Sequence, residues 1–207
     1  MTGPSRNRRV AISAVAFALV AGLAGVQEAN ALTFLIGNGA PQIYLRIGQT
    51  GGQTPIVSID LSGSTGILGN GTPILGTAPA AAGAFRGQTS NFPACPANHV
   101  RIVARARSTA AIPRVATLQV NSSANLVHAA SGNAIPFTQI GWISDDAVDL
   151  PAGTFTGAAG QVLATLATSR EIGACHRFQF LNTQVYPGSV GGTGYYTGNV
   201  TYNLNMP

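Results

Sequence analysis

Short stretches in which apolar and polar residues alternate recur along the chain, and they restrict its fold more than any other feature. The clearest is the end of the chain, where the apolar positions are Val200, Tyr202, Leu204 and Met206. A period of two is typical of a strand with one buried and one exposed face. Similar stretches lie at residues 43–47, 56–61, 100–107, 114–120 and 174–181. The sequence therefore predicts an all-β protein.

The spacing of these stretches narrows the fold class. About nine or ten short strands follow one another, separated by segments rich in Gly, Pro, Asn and Ser, which is typical of an antiparallel β-sandwich. Residues 100–107 and 114–120 are separated by a short turn, so we predict that they form a hairpin.

The first 31 residues read as a secretory signal peptide. Arg6, Arg8 and Arg9 are basic, residues 10–20 are apolar, and residues 29–31 form a small-x-small cleavage site. A membrane anchor is the alternative, but the apolar run is shorter than the roughly 18 to 20 residues of a spanning helix. We expect cleavage to leave an exported protein without stable membrane insertion. It would comprise an N-terminal segment, residues 32–48, and a β-sandwich domain, residues 49–207.

The charge of the exported part is small. It contains eight arginines, five acidic residues and no lysine, so its formal charge is +3. This balance argues against a nucleic-acid partner. Arg101, Arg105 and Arg107 fall on the polar side of one predicted strand and should form an exposed stripe. The stripe could bind an acidic partner, but no aromatic residues interleave, which favours a solvated face that discourages edge pairing.

Cys95 and Cys175 are the only cysteines, and both lie in the exported part. In an oxidising compartment an isolated pair most simply forms one disulfide. His176 follows Cys175 directly, but neighbours in a strand point to opposite faces, so the two side chains should not share a site.

The sequence contains no recognisable arrangement of catalytic groups. No Gly-x-Ser-x-Gly motif is present. The acidic cluster Asp145, Asp146 and Asp149 lacks the ligand spacing of a calcium loop and is interpreted as a capped turn. The histidines have no spacing typical of a metal site, and we predict that each is a half-exposed strand residue: His99, His128 and His176. We predict no enzyme activity, no cofactor and no metal.

Four parts of the chain resemble the chaperone-usher pilins, and most of all the secreted fimbrial subunits of the spore coat protein U type. They are residues 135–142, AGTFTG at 152–157, ACH at 174–176 and the ending TGNVTYNLNMP. The resemblance implies an Ig-like sandwich that lacks one strand. An assembly chaperone, and then the N-terminal extension of the next subunit, supplies that strand. The implied partners are a periplasmic chaperone, an usher and identical or related subunits, and the implied location is the periplasm and then the cell surface.

The resemblance also implies two sets of functional residues. The strand that binds chaperone and subunit would contain Gly194, Val200, Tyr202, Leu204 and Met206, although Met206 stands where the family motif has an aromatic. The donor strand would lie within residues 32–47, at Phe34, Ile36, Ile43, Leu45 and Ile47.

One alternative stays open at this point. Residues 43–47 would then be the first strand of a complete monomeric sandwich, and the protein would be a secreted binding module. As an adhesin, it would recognise carbohydrate through exposed Tyr195, Tyr196 or Trp142.

Overall fold

The computed structural model describes residues 42–48, 55–61, 68–79, 95–107, 114–167, 170–186 and 195–207. The strands in chain order are β1 (Gln42–Ile47), β2 (Ile74–Leu75), β3 (Val100–Arg107), β4 (Ala116–Ser122), β5 (Asn125–His128), β6 (Ala134–Pro136), β7 (Ile140–Ser144), β8 (Gly153–Thr154), β9 (Gln161–Leu166), β10 (Arg170–Phe180), β11 (Tyr196–Thr197) and β12 (Val200–Asn205). A 3-10 helix, Phe137–Gln139, precedes β7. The predicted signal peptide and the candidate residues Phe34, Ile36 and Gly194 lie outside the described residues.

Two layers of antiparallel strands enclose the core. The first layer has the order β1-β3-β10-β7-β8, with β2 also paired to β10. The second layer consists of the sheets β12-β4-β9 and β11-β5-β6, and it bends where β4 gives way to β5. At the bend the Ser123 N–H donates to the Asn199 carbonyl oxygen at 2.9 Å. The predicted all-β antiparallel sandwich is confirmed.

The core has an aromatic half and an aliphatic half. The aromatic half centres on Phe155, which is 2% exposed. Its ring centroid lies 4.9 Å from that of Trp142, 5.2 Å from Phe137 and 5.9 Å from Phe178. The aliphatic half includes Ile102, Leu118, Leu150, Leu166 and Ile172. Both layers contribute to both halves, so the core joins the sheets along their whole length.

The predicted hairpin of residues 100–107 and 114–120 is wrong. β3 pairs with β1 and β10, whereas β4 pairs with β12 and β9 in the other layer. Ile102 of β3 and Leu118 of β4 are both fully buried in the same half of the core. The two strands therefore pack face to face across the core and not side by side.

The arginine stripe is only partly exposed. Arg107 is exposed and Arg105 pairs with Glu171, but Arg101 is only 6% exposed. The prediction is therefore wrong for Arg101, because β3 is an inner strand and residues 145–148 line a cleft beside it. Burial, and then the nearby Arg46, lower the pKa of Arg101.

Two of the three histidines were predicted wrongly. His99 is half-buried as expected, but His128 is 2% exposed and His176 is 1% exposed. His128 lies at a turn, where its Nδ1 is 2.8 Å from the Ser131 hydroxyl. His176 points into the core from β10, on the same side as Phe178 and Phe180. Both side chains are part of the interior.

The predicted disulfide is confirmed. Cys95 and Cys175 are bonded across a sequence separation of 80 residues. The bond joins the segment that precedes β3 to the middle of β10. Both β3 and β10 belong to the first layer, so the disulfide crosslinks neighbouring parts of one sheet.

Asn182 holds residues 69–72 against the end of β10. The side chain is 1% exposed, and its Oδ1 accepts a hydrogen bond from the Gly69 N–H at 2.7 Å. Its Nδ2 donates to the Asn70 side chain at 2.9 Å and to the Thr72 carbonyl oxygen at 3.1 Å. The backbone is left-handed, with φ of +55°, which Asn tolerates better than most residues.

We expect Asn182→Ala to lower the free energy of unfolding by about 2 kcal/mol, because it removes the three hydrogen bonds of a buried side chain that hold residues 69–72. Urea unfolding measures the change. Asn199→Ala is the control: Asn199 is exposed at the bend, and its substitution should change the free energy by less than about 0.5 kcal/mol. Equal effects of the two substitutions would contradict this role for Asn182.

Candidate assembly site

The strongest candidate site is the place where β1 and β12 meet. β1 ends the first layer and β12 ends its sheet in the second layer. The two strands contact each other across the layers but do not pair. We call this place the edge seam and define it by its inward apolar side chains: Ile43, Leu45 and Ile47 of β1, and Val200, Tyr202, Leu204 and Met206 along and just after β12.

Burial falls sharply towards the edge seam. In β4 the inward residues Leu118 and Val120 are fully buried, whereas the inward residues of the neighbouring β12 are only half-buried. The same step separates β3 from β1, in which all six residues are half-buried. Apolar side chains that would be covered inside a sandwich are thus partly in contact with water here. Covering them is favourable by about 25 cal/mol per Å² of apolar surface.

The backbone of β12 is paired on one side. Its partner is β4, in a register that runs from Val200 opposite Ser122 to Asn205 opposite Thr117. Within the described residues, the other edge of β12 has no strand partner. Six residues of strand extend over roughly 20 Å. The free edge could therefore accept a further strand of similar length.

The strands of the second layer carry no charge at this edge, and the nearby Arg114 guanidinium donates to the Pro207 carbonyl oxygen beyond the end of β12 at 3.1 Å. β4, β9 and β12 contain no charged residue. The outward side chains of β12 are Thr201, Asn203 and Asn205, all of them exposed. Burial raises the pKa of the Tyr202 hydroxyl, so Tyr202 should stay neutral. A strand added along β12 would meet polar neighbours on the outer face, apolar neighbours on the inner face, and no charged residue within β12.

The structure separates the predicted donor residues into two groups. Ile43, Leu45 and Ile47 lie in β1, which pairs with β3 of the same chain from Gln42 opposite Arg107 to Ile47 opposite Ile102. Residues 43–47 are thus a strand of their own sandwich, as the alternative interpretation has it. The other group, Phe34 and Ile36, lies outside the described residues.

The carbohydrate-binding alternative loses one of its residues. Trp142 is 4% exposed and donates its indole N–H to the Pro151 carbonyl oxygen at 2.9 Å, so the prediction that it is exposed is wrong. It is buried because β7 packs this side against Phe155. Tyr196 is half-buried against the ring of His128, and Tyr195 is 86% exposed.

The three acidic residues bind the protein's own backbone and side chains. Asp145 accepts the Cys175 N–H at 2.7 Å, and Asp146 accepts the N–H groups of Val148 and Asp149 at 2.9 Å. Asp149 pairs with Arg170. In the described part of the chain, no cluster of His, Cys, Asp or Glu has the size and spacing to hold a metal ion.

Fold and site together define the protein as a disulfide-bonded antiparallel β-sandwich with an open edge seam. Comparison with protein-family models, with curated proteins and with solved structures found no match. Among the described residues, no helix has the length and apolarity needed to cross a membrane.

Proposed function

We propose that this protein is an exported structural subunit that assembles into a fimbria by strand addition at the edge seam. A neighbouring subunit supplies the strand that covers β12, and before assembly a periplasmic chaperone occupies the same edge. The observation that carries the proposal is the combination of half-buried Tyr202, Leu204 and Met206 with a backbone edge that has no strand partner within the described residues.

The role of β1 indicates where the donated strand comes from. β1 pairs within its own chain over its whole length, so β1 cannot leave without exposing β3. The donor is then the apolar stretch ahead of β1, residues 32–36, which contains Phe34 and Ile36. Its five residues match the six of β12 closely enough for one added strand.

The test compares three proteins by size-exclusion chromatography with light scattering: residues 32–207, 41–207 and 48–207. We expect the first to form a ladder of oligomers and the second to be a folded monomer. The third should lose its fold, because β3 loses one of its two strand partners and its buried side chains become exposed.

Adding the donor as a synthetic peptide sharpens the test. The peptide of residues 32–40 should raise the melting temperature of residues 41–207, whereas the same peptide with Phe34→Asp and Ile36→Asp should not. A monomeric protein of residues 32–207, together with no response to the peptide, would overturn the proposal. The self-complete binding module would then replace it.

A further inference from the structure

The loop between β7 and β8, residues 145–152, carries most of the acidic groups of the described chain. It contains Asp145, Asp146 and Asp149, and we call it the acidic loop. Each carboxylate accepts hydrogen bonds that hold the loop in shape or fasten it to β10. The loop also borders a cleft of about 360 Å³ beside Arg101 and Cys175. Its attachment to the sandwich thus depends on the hydrogen bond from Cys175 to Asp145 and on the ion pair of Asp149 with Arg170.

His176 lies directly beneath the acidic loop. Its Nε2 donates to the Leu150 carbonyl oxygen at 3.3 Å, and Leu150 is 1% exposed. Because a carbonyl can only accept, Nε2 carries the proton of the neutral ring. Its Nδ1 is buried without a hydrogen-bond partner. A second proton would therefore create a buried N–H with no acceptor.

Few groups around His176 could stabilise a positively charged imidazole ring. Val100 of β3 and Ser144 of β7 lie opposite it and are uncharged. On β10 itself, Arg177 follows it and points to the other face of the sheet. Asp145 is the charged group that acts on His176, and Arg101 in turn acts on Asp145.

Two opposing effects decide the charge of His176. The ring stacks on Trp142 with ring centroids 5.7 Å apart, and an aromatic face favours a cation. Burial opposes the cation more strongly and lowers the pKa of His176 to about 4. The hydrogen bond to the Leu150 carbonyl oxygen and the charge of Asp145 raise this pKa, but by less. The closed loop therefore holds a neutral His176 at neutral pH.

We propose that the acidic loop is an acid-released flap: protonation of the buried His176 frees residues 145–152 while the two layers stay paired. The released loop removes Leu150 from the core and Pro151 from the Trp142 indole. This inference does not rest on the proposed fimbrial function, since none of the groups that it invokes belongs to the edge seam.

The direction of the pH effect follows from the depressed pKa. Above about pH 6.5 neither form binds the proton, and the closed loop has its full stability. As the pH falls from about 6.5 to about 4, the open form takes up a proton that the closed form cannot hold. The ratio of open to closed loop should rise about 20-fold between about pH 7 and about pH 5 from His176 alone.

Hydrogen exchange measured by NMR tests the proposal on the folded, disulfide-bonded protein. The probes are the indole N–H of Trp142, which donates to Pro151, and the backbone N–H of Cys175, which donates to Asp145, because release of the loop breaks both hydrogen bonds. After correction for the intrinsic exchange rate, their protection should fall about 20-fold from pH 7 to pH 5. At both pH values it should stay below the protection of Leu118 and Val120 in β4.

Two variants separate the flap from general acid unfolding. His176→Gln keeps an N–H donor without a titrating ring, and it should flatten the pH dependence at both probes, whereas His99→Gln should not. Should His176→Gln fail to fold, Asp145→Ala replaces it, because it removes the acceptor of the Cys175 N–H, and it should lower the protection of the Trp142 indole N–H already at pH 7. Loop protection that is independent of pH, or equal to that of β4 at both pH values, would overturn the proposal.

Discussion

Removing the disulfide between Cys95 and Cys175 is expected to lower the free energy of unfolding by about 4 kcal/mol. The bond closes a loop with a sequence separation of 80 residues. In the chain-entropy description, such a crosslink stabilises the fold mainly by restricting the unfolded chain. Because total stability is roughly 5 to 15 kcal/mol for a domain, this single bond would account for a large part of it.

The measurement is urea unfolding of the oxidised protein and of the double variant Cys95→Ala with Cys175→Ala. Cys175 is 4% exposed, so its truncation also removes some packing. Wild-type protein unfolded with a reductant present is the control that isolates the crosslink. A loss below about 1 kcal/mol in the reduced wild type would mean that the unfolded chain is already compact.

Truncating Phe155 is expected to cost about 3 to 5 kcal/mol, because it removes the centre of the aromatic half of the core. The ring contacts the rings of Phe137, Trp142 and Phe178, which belong to the 3-10 helix, β7 and β10. Phe155 itself follows β8, and its N–H donates to the Ile140 carbonyl oxygen at 3.0 Å. A cavity at this point would loosen several elements together.

Phe155→Ala, Phe155→Leu and Val162→Ala form a graded series for thermal and urea unfolding. Leu refills part of the space, so its cost should be about half that of Ala. Val162 is 55% exposed on β9, and its truncation should change the free energy by less than about 0.5 kcal/mol. If Phe155→Ala cost no more than Val162→Ala, Phe155 would not be the centre of the core.

Local alternation was enough to predict the strands that cross the core. β3, β4, β10 and β12 lie where the period of two predicted them, because each has one face that must leave water. Residues 56–61 show the limit of the pattern: they alternate too, yet within them only Ser58 pairs, in an isolated bridge to Thr77. Alternation shows that a segment can form a strand, but a partner must also be within reach.

Apart from the disulfide, contacts between residues distant in the sequence could not be predicted. The Gly69 N–H bonds to Asn182 across 113 residues, and no local pattern signals that contact. The hairpin prediction was wrong for a related reason: the short distance in sequence between β3 and β4 does not determine in which layer β4 lies. By contrast, the sequence does indicate the burial of His176. It lies two residues before Phe178 and four before Phe180, so it shares their face of the strand, and an aromatic face belongs to the core.

The candidate assembly site could also be predicted only in part. The inward set of β12 was predictable because it repeats every second residue up to the end of the chain. The pairing of β1 with β3 of the same chain was not predictable, because the alternation in residues 43–47 suits a donor strand and a first strand equally well. Only the register with β3 assigns them to their own sandwich.

The position of the disulfide also determines how the chain would bear tension. A pull on the two ends of the polypeptide passes from Cys95 to Cys175 through the covalent bond. The enclosed segment, which contains β3 to β9 and the first half of β10, carries no load even after the sandwich opens. About 270 Å of contour length, 80 residues at roughly 3.4 Å each, therefore cannot be extended while the disulfide is intact. An overstretched molecule would thus lengthen only through its two outer segments and would keep most of its core strands tethered for refolding.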